Sequence, residues 1–118
     1  MTIVSPLLQG LGRAIGVLET RHKVLTENLA NVETPGYRAR DVDFGGALRA
    51  AFARRADRPG EAVPAPQVTR DVPPGPDGNS VDVDIEMGKL SDNAFKLVAL
   101  SELLGRRYAG LKALVREL

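Results

Sequence analysis

Asn28-Leu29-Ala30-Asn31-Val32-Glu33-Thr34-Pro35-Gly36-Tyr37 is the stretch on which the reading of this chain turns. It has the physics of a helix stop. Thr34 precedes a proline, which pushes it out of the α region, so a helix arriving from the N-terminal side ends near Val32. Pro35 lacks an N–H and presets φ for a turn, Gly36 can take positive φ, and Asn31 suits a helix end. Such punctuation occurs in many proteins. Its weight comes from what lies on either side.

Upstream, apolar residues recur at alternating spacings of four and three: Val4, Leu8, Leu11, Ile15, Leu18, Leu25, Leu29 and Val32, with His22 in the one polar slot. That is a sustained heptad, the pattern of a helix with a coiled-coil seam. Ser5 and Pro6 fit its start as N-cap and first helical residue. A helix over Pro6–Val32 would be about 40 Å long. Gly10, Gly12 and Gly16 each cost about 0.8–1 kcal/mol relative to alanine. They read either as a weak first half or as room for a neighbouring helix.

Downstream, residues 38–80 hold no sustained period. Asp43 is placed to cap a short helix near 44–53. From Arg54 to Gly78 the sequence is Pro, Gly, Arg, Asp and Ala with isolated valines. It buries too little to offset its ordering entropy and reads as loop, extended or poorly ordered chain, with a short extended piece near Gln67-Val68-Thr69. Pro76-Asp77-Gly78-Asn79 is a strong turn signal. A second helix is expected to begin at Asp82 or Asp84, with Asp82, Asp84 and Glu86 near its positive end and Arg106, Arg107, Lys112 and Arg116 toward the other. Its seam runs Val83, Met87, Leu90, Ala94, Leu97, Ser101, Leu104, Tyr108, Leu111, Val115 and Leu118.

The expected fold is therefore all-α. Two long terminal helices, within residues 1–32 and 81–118, pair as an antiparallel coiled-coil hairpin around a Pro- and Arg-rich middle, residues 33–80. Leu8, Leu11, Ile15, Leu18, Leu25 and Leu29 form the packing seam of the first helix, and Leu90, Leu97, Leu104, Leu111 and Val115 that of the second. Leu7, Ala14, Val17 and Val24, and Val98, Leu100, Leu103 and Leu114, fall outside these seams, so a two-helix hairpin leaves apolar surface facing water. A chain of 118 residues with this little core is marginal alone, and order is expected mainly in a helical assembly.

Composition excludes much of the chemistry. Sixteen Lys and Arg face fifteen Asp and Glu, which removes the simplest argument for a nucleic-acid or acidic-membrane partner. There is no cysteine and a single histidine, so no disulfide, thiol nucleophile, zinc site or cofactor is expected. His22 reads as a partly buried polar residue that sets register. Asp77, Asn79, Asp82, Asp84 and Glu86 suggest calcium, but counting an EF-hand loop from Asp82 puts Met87 and Asn93 where glycine and a bidentate acid are required. No residues supply nucleophile, base and orienter together, so an enzyme is not expected. Arg38, Arg40, Arg49, Arg54, Arg55 and Arg58 make a basic run diluted by Asp41, Asp43 and Asp57. No apolar run approaches the roughly 20 residues of a membrane span, and no cleaved targeting signal is visible.

Leu29 through Tyr37 resembles the shared N-terminal motif of the bacterial flagellar rod, hook and hook-associated axial proteins. Tyr37-Arg38-Ala39-Arg40-Asp41-Val42-Asp43-Phe44 and Asp77-Gly78-Asn79-Ser80-Val81-Asp82-Val83-Asp84-Ile85-Glu86 are similar to blocks of the proximal members of the flagellar basal-body rod protein family, and Leu90, Asn93 and the leucine-rich end fit their C-terminal helix. The resemblance implies a structural subunit of the proximal rod. It would polymerise through its terminal helices as drive shaft and export-channel wall, and would reach the periplasmic part of the basal body without a cleaved signal peptide. Implied partners are copies of itself, the rod proteins FlgC, FlgF and FlgG, the adaptor FliE and the flagellar type III export apparatus. Asn28, Asn31, Thr34, Pro35, Gly36 and Tyr37 would be its assembly motif. The competing reading is a small coiled-coil adaptor that binds a partner helix or an anionic polymer through its arginines.

Overall fold

The computed structural model describes residues 5–53 and 64–117. Val4 and Leu118 of the expected seams, and Arg54, Arg55 and Arg58 of the basic run, lie outside them. The described residues form three helices, α1 (Pro6–Ala30), α2 (Phe44–Ala53) and α3 (Val83–Arg116). A two-residue strand, β1 (Arg40–Asp41), pairs antiparallel with β2 (Gln67–Val68). The molecule is a rod, 66 Å long and 26 by 17 Å across.

The helix ends follow from local chemistry. Ser5 accepts a hydrogen bond from the Leu8 N–H at 3.3 Å, with Pro6 at the first helical position. Asp82 caps α3 by accepting from the Asp84 and Ile85 N–H groups at 2.9 and 3.2 Å. Asp43 does the same for α2 through Gly46, at 3.1 Å. α1 stops at Ala30, two residues before the expected end, because Asn31 takes the C-cap and its amide donates to the Glu27 carbonyl at 2.8 Å.

α1 and α3 run antiparallel. Asn28 meets Glu86, Leu18 meets Asn93, and Ser5 and Leu8 lie beside Gly110 and Leu111. α2 and Val42 cover another flank of α1, where Val17, Val24, Val42 and Ala47 form a buried cluster with Phe44 against it. Gly10 admits the Phe52 ring of α2, since a Cβ there would lie 2.7 Å from a ring carbon. Gly12 and Gly16 meet nothing within 4 Å among the described residues, so only the first of the three glycines serves a close approach within the chain.

In each helix half of the expected seam faces the partner and the other half is displaced by one residue. On α1 the row Leu11, Leu18 and Leu25 is buried, but its companion is Ala14, Arg21 and Asn28 rather than Ile15, His22 and Leu29. On α3 the row Leu90, Leu97, Leu104 and Leu111 is half-buried, whereas Met87, Ala94, Ser101, Tyr108 and Val115 are exposed. Glu86 and Asn93 take the inner positions. His22 is exposed and sets no register, because its neighbour Arg21 occupies the slot. The displacement has one cause: α1 packs on two sides at once, and the polar residues that complete its inner face are all paired.

Candidate functional site

Asn28 is fully buried and uses its whole hydrogen-bonding capacity. Its amide nitrogen donates to the Arg40 carbonyl at 2.7 Å and to the Glu86 carboxylate at 3.0 Å. Its oxygen accepts from the Arg40 N–H and the Tyr37 hydroxyl, both at 3.0 Å. Toward Arg40 the side chain behaves as a strand neighbour would, taking both backbone groups. One residue thus joins α1, the turn after it, β1 and α3.

The turn after α1 is built on Thr34-Pro35-Gly36-Tyr37. The Tyr37 N–H donates to the Thr34 carbonyl at 3.2 Å, and Gly36 has φ of +76°, the value a type II turn requires at its third residue. A second turn, Gly75-Pro76-Asp77-Gly78, closes with the Gly78 N–H on the Gly75 carbonyl at 2.9 Å, and Gly78 has φ of +82°. The two turns interlock. The Gly36 N–H donates to the Asp77 carbonyl at 2.9 Å, and the Ser80 N–H donates to the Tyr37 carbonyl at 3.0 Å. The Asn79 amide donates to the carbonyls of Asn31 and Thr34 at 2.9 and 2.8 Å. The buried Ser80 hydroxyl accepts from the Ala39 N–H at 2.9 Å. A Cβ on Gly78 would lie 3.3 Å from the Gly36 Cα, so here glycine is required for approach as well as for φ.

Next to this clasp lies an ion network. Arg21 pairs with Asp41 at 2.8 Å and reaches Asp92 and Asn93 at 3.4 Å each. Lys89 bridges Asp71 at 2.6 Å and Asp41 at 3.5 Å, tying the segment after β2 to α3. Burial pushes the Asp41 carboxyl upward, but the Arg21 guanidinium, the Val42 N–H and the charge of Lys89 outweigh it and hold the carboxyl below its ordinary range. Burial likewise pulls Arg21 and Lys89 down, and their acidic partners leave both above their ordinary values. Asn93, fully buried, donates to the Leu18 carbonyl at 2.9 Å.

Of the expected motif, Asn28, Asn31, Thr34, Gly36 and Tyr37 all take part in this clasp, while Pro35 is exposed and shapes the turn. Of the expected seam, Leu8, Leu11, Leu18 and Leu25 are buried. Ile15, Leu29, Leu90, Leu97, Leu104 and Leu111 are half-buried, and Val115 is 63% exposed. The acidic residues that suggested calcium are turn and helix groups: Asp77 accepts from the Asn79 N–H, Asp82 caps α3 and Glu86 meets Asn28. Among the described residues no three His, Cys, Asp or Glu are grouped to hold a metal, and no helix is long and apolar enough to cross a membrane. Arg40 pairs with Glu27 at 2.9 Å on the surface, and Arg38 and Arg49 are exposed.

Sequence reasoning missed Arg21, and it named Asn79, Glu86 and Asn93 as turn, helix-end and motif residues without seeing them as partners in a buried network. A signal was present. Arg21 and Asn28, and Glu86 and Asn93, are seven residues apart beside the leucine rows, where a polar residue can specify register.

Comparison with known proteins gives one consistent result. A Cereibacter sphaeroides protein named flagellar basal body rod protein FlgB is 36% identical over 114 residues, spanning 88% of this chain and 89% of that protein. The protein of the same name from Salmonella typhimurium is 33% identical, over 83% and 84% of the two chains. That from Bacillus subtilis is 28% identical, over 98% and 97%. No family model matches the chain.

Proposed function

Since the chain belongs to the flagellar basal body rod protein FlgB family, and is thus a structural component of the basal body rather than an enzyme, we propose that it polymerises through its terminal helices into the proximal rod. There it serves as a segment of drive shaft and of export-channel wall. One observation carries this reading. From Val98 onward α3 keeps Val98, Leu103, Tyr108, Leu114 and Val115 between 38% and 63% exposed, on a helix whose start is held by a closed polar clasp. Exposed apolar surface rimmed by charge marks an interaction face. The clasp fixes the angle at which α3 leaves the molecule, so every copy presents the same face. On this reading Asn28, Asn31, Thr34, Pro35, Gly36 and Tyr37 set assembly geometry from within, and the leucine seams hold the hairpin that is stacked.

Its partners are further copies of itself, the rod proteins FlgC, FlgF and FlgG, and the adaptor FliE. The flagellar type III export apparatus delivers it to the periplasm without a cleaved signal peptide. Deletion is expected to abolish rod and filament while the membrane ring still forms, and the wild-type chain to restore both. Leu104→Asp or Leu111→Asp is expected to leave export intact and abolish incorporation. A normal rod in the deletion strain, or in both aspartate variants, overturns the reading.

A further inference from the structure

Asp77 is the one aspartate or asparagine in the chain that a glycine follows. Glycine leaves its main-chain nitrogen unshielded and its backbone free to turn, so in open chain this nitrogen readily attacks the preceding side chain. The Gly78 nitrogen bonds to Cγ of Asp77, and the amide proton leaves with the carboxyl hydroxyl as one water. The five-membered imide then takes water back at either carbonyl. Opening at the main-chain carbonyl routes the backbone through Cβ and Cγ of residue 77 and frees its α-carboxylate. One water is lost and one regained, so the isoaspartyl product is an isomer of the original chain.

In the closed clasp each group that must move is held. The Gly78 N–H donates to the Gly75 carbonyl, and the Asp77 carbonyl accepts from the Gly36 N–H, both at 2.9 Å. The Asp77 carboxylate accepts from the Asn79 N–H at 3.0 Å. Asp77 is exposed, so water reaches it and the protection comes from hydrogen bonding, not burial. The Asn79 amide anchors this turn to the carbonyls of Asn31 and Thr34, which lie 48 and 45 residues away in sequence. The lock therefore exists only while the two turns are interlocked.

Isomerisation would also spoil the interlock. It adds one carbon to the backbone, about 1.5 Å of chain, at the peptide that joins the two turns. A single Cβ on Gly78 would already lie 3.3 Å from the Gly36 Cα. The insertion falls between Asp77 and Ser80, whose backbone groups bond Gly36 and Tyr37, so the two bonds no longer share a register.

We propose that Asp77-Gly78 is a self-modification site gated by the clasp. The open chain converts to isoaspartate there, the closed clasp suppresses the conversion, and a chain converted while open cannot close. The clasp thereby separates copies that fold promptly from copies that have lingered open. This inference stands apart from the rod reading.

The full chain is held for days at neutral pH, in buffer and in guanidinium chloride. After digestion, isoaspartyl groups are counted with a purified isoaspartyl methyltransferase and labelled S-adenosylmethionine, and are located by electron-transfer fragmentation. Conversion at residue 77 should be at least twentyfold faster in guanidinium than in buffer. Gly78→Ala should slow it at least fivefold in guanidinium. Asn79→Ala, which keeps the Asp-Gly pair but removes the two anchoring bonds, should speed it at least fivefold in buffer. Chain aged in guanidinium and refolded should lose slow amide exchange at Gly36 and Ser80 in its isoaspartyl fraction. Incubation with the methyltransferase and S-adenosylmethionine should restore it. Equal rates in buffer and guanidinium, or an Asn79→Ala rate equal to that of the native chain in buffer, overturn the gating. Conversion in guanidinium that spares residue 77 overturns the site, and isoaspartyl chain with native exchange at Gly36 and Ser80 overturns the block on closure.

Discussion

The two ends of this rod are held in opposite ways. At the clasped end Asn28, Glu86, Asn93 and Ser80 are at most 3% exposed, and each has a hydrogen-bond partner across an element boundary. At the other end α1 and α3 part around an open cleft of about 370 Å³ between Leu7 and Leu8 on one side and Leu111 and Leu114 on the other. Leu114 and Val115 there are 59% and 63% exposed. Buried polar groups cost stability unless every partner is present, so the clasped end tolerates one geometry. Apolar contacts are non-directional, so the open end can adapt to a neighbour's surface. Specificity resides in the clasp, whereas capacity for contact lies in the exposed apolar side chains along α3, with Met87 and Phe95 beside the clasp among them.

The comparison breaks most sharply at Asn28. Asn28→Leu strips Glu86, Arg40 and Tyr37 of partners at once and should cost about 3–5 kcal/mol in urea or thermal unfolding. Adding Glu86→Leu should recover part of that loss, a coupling a double-mutant cycle would read directly. Equal and additive losses would contradict a shared network.

Arg21→Met should cost less, about 1–3 kcal/mol, since Asp41 and Asp92 keep some access to water. The pH dependence has a defined sign. Asp41 ionises more readily folded than unfolded, so its contribution is complete above its ordinary value of 3.8 and is lost as pH falls through the lower folded value. Lys89 is raised, so its contribution is complete below 10.5 and is lost as pH climbs through the folded value. Acid unfolding of Asp41→Asn should therefore show a shallower loss below about pH 4 than the native chain.

Smaller effects discriminate between the two turns. Gly36→Ala should cost about 1–2 kcal/mol through its positive φ alone. Gly78→Ala should cost more, because its Cβ also meets the Gly36 Cα at 3.3 Å. The smallest change lies at the open end. Val115→Asp should shift the stability of the isolated chain by less than about 0.5 kcal/mol while abolishing assembly, the reverse of the pattern at Asn28.

Spacing and turn chemistry made the leucine rows, caps and turns easier to read than the polar groups that pack between them. The leucine rows at 11, 18 and 25, and at 90, 97, 104 and 111, follow from spacing alone, as do the caps Ser5 and Asp82 and the turn glycines 36 and 78. The companion rows did not, because periodicity counts a polar residue against burial. Arg21 and Glu86 are buried only because their partners arrive from far along the chain, Asn93 from 72 residues away for Arg21 and Asn28 from 58 for Glu86. Asn28 stood out within a motif, yet its four bonds depend on Arg40 and Glu86 being folded against it. The choice of Ile15, His22 and Leu29 over Ala14, Arg21 and Asn28 came from ranking residues by hydropathy where pairing decides.

Amide hydrogen exchange, followed residue by residue along α3 in the free chain and again in the assembled rod, tests the contrast between the two ends most directly. The account predicts strong protection over residues 86–97 in both states, and fast exchange over 98–117 in the free chain that slows at least a hundredfold on assembly. Uniform strong protection of α3 in the free chain, unchanged in the rod, would contradict it.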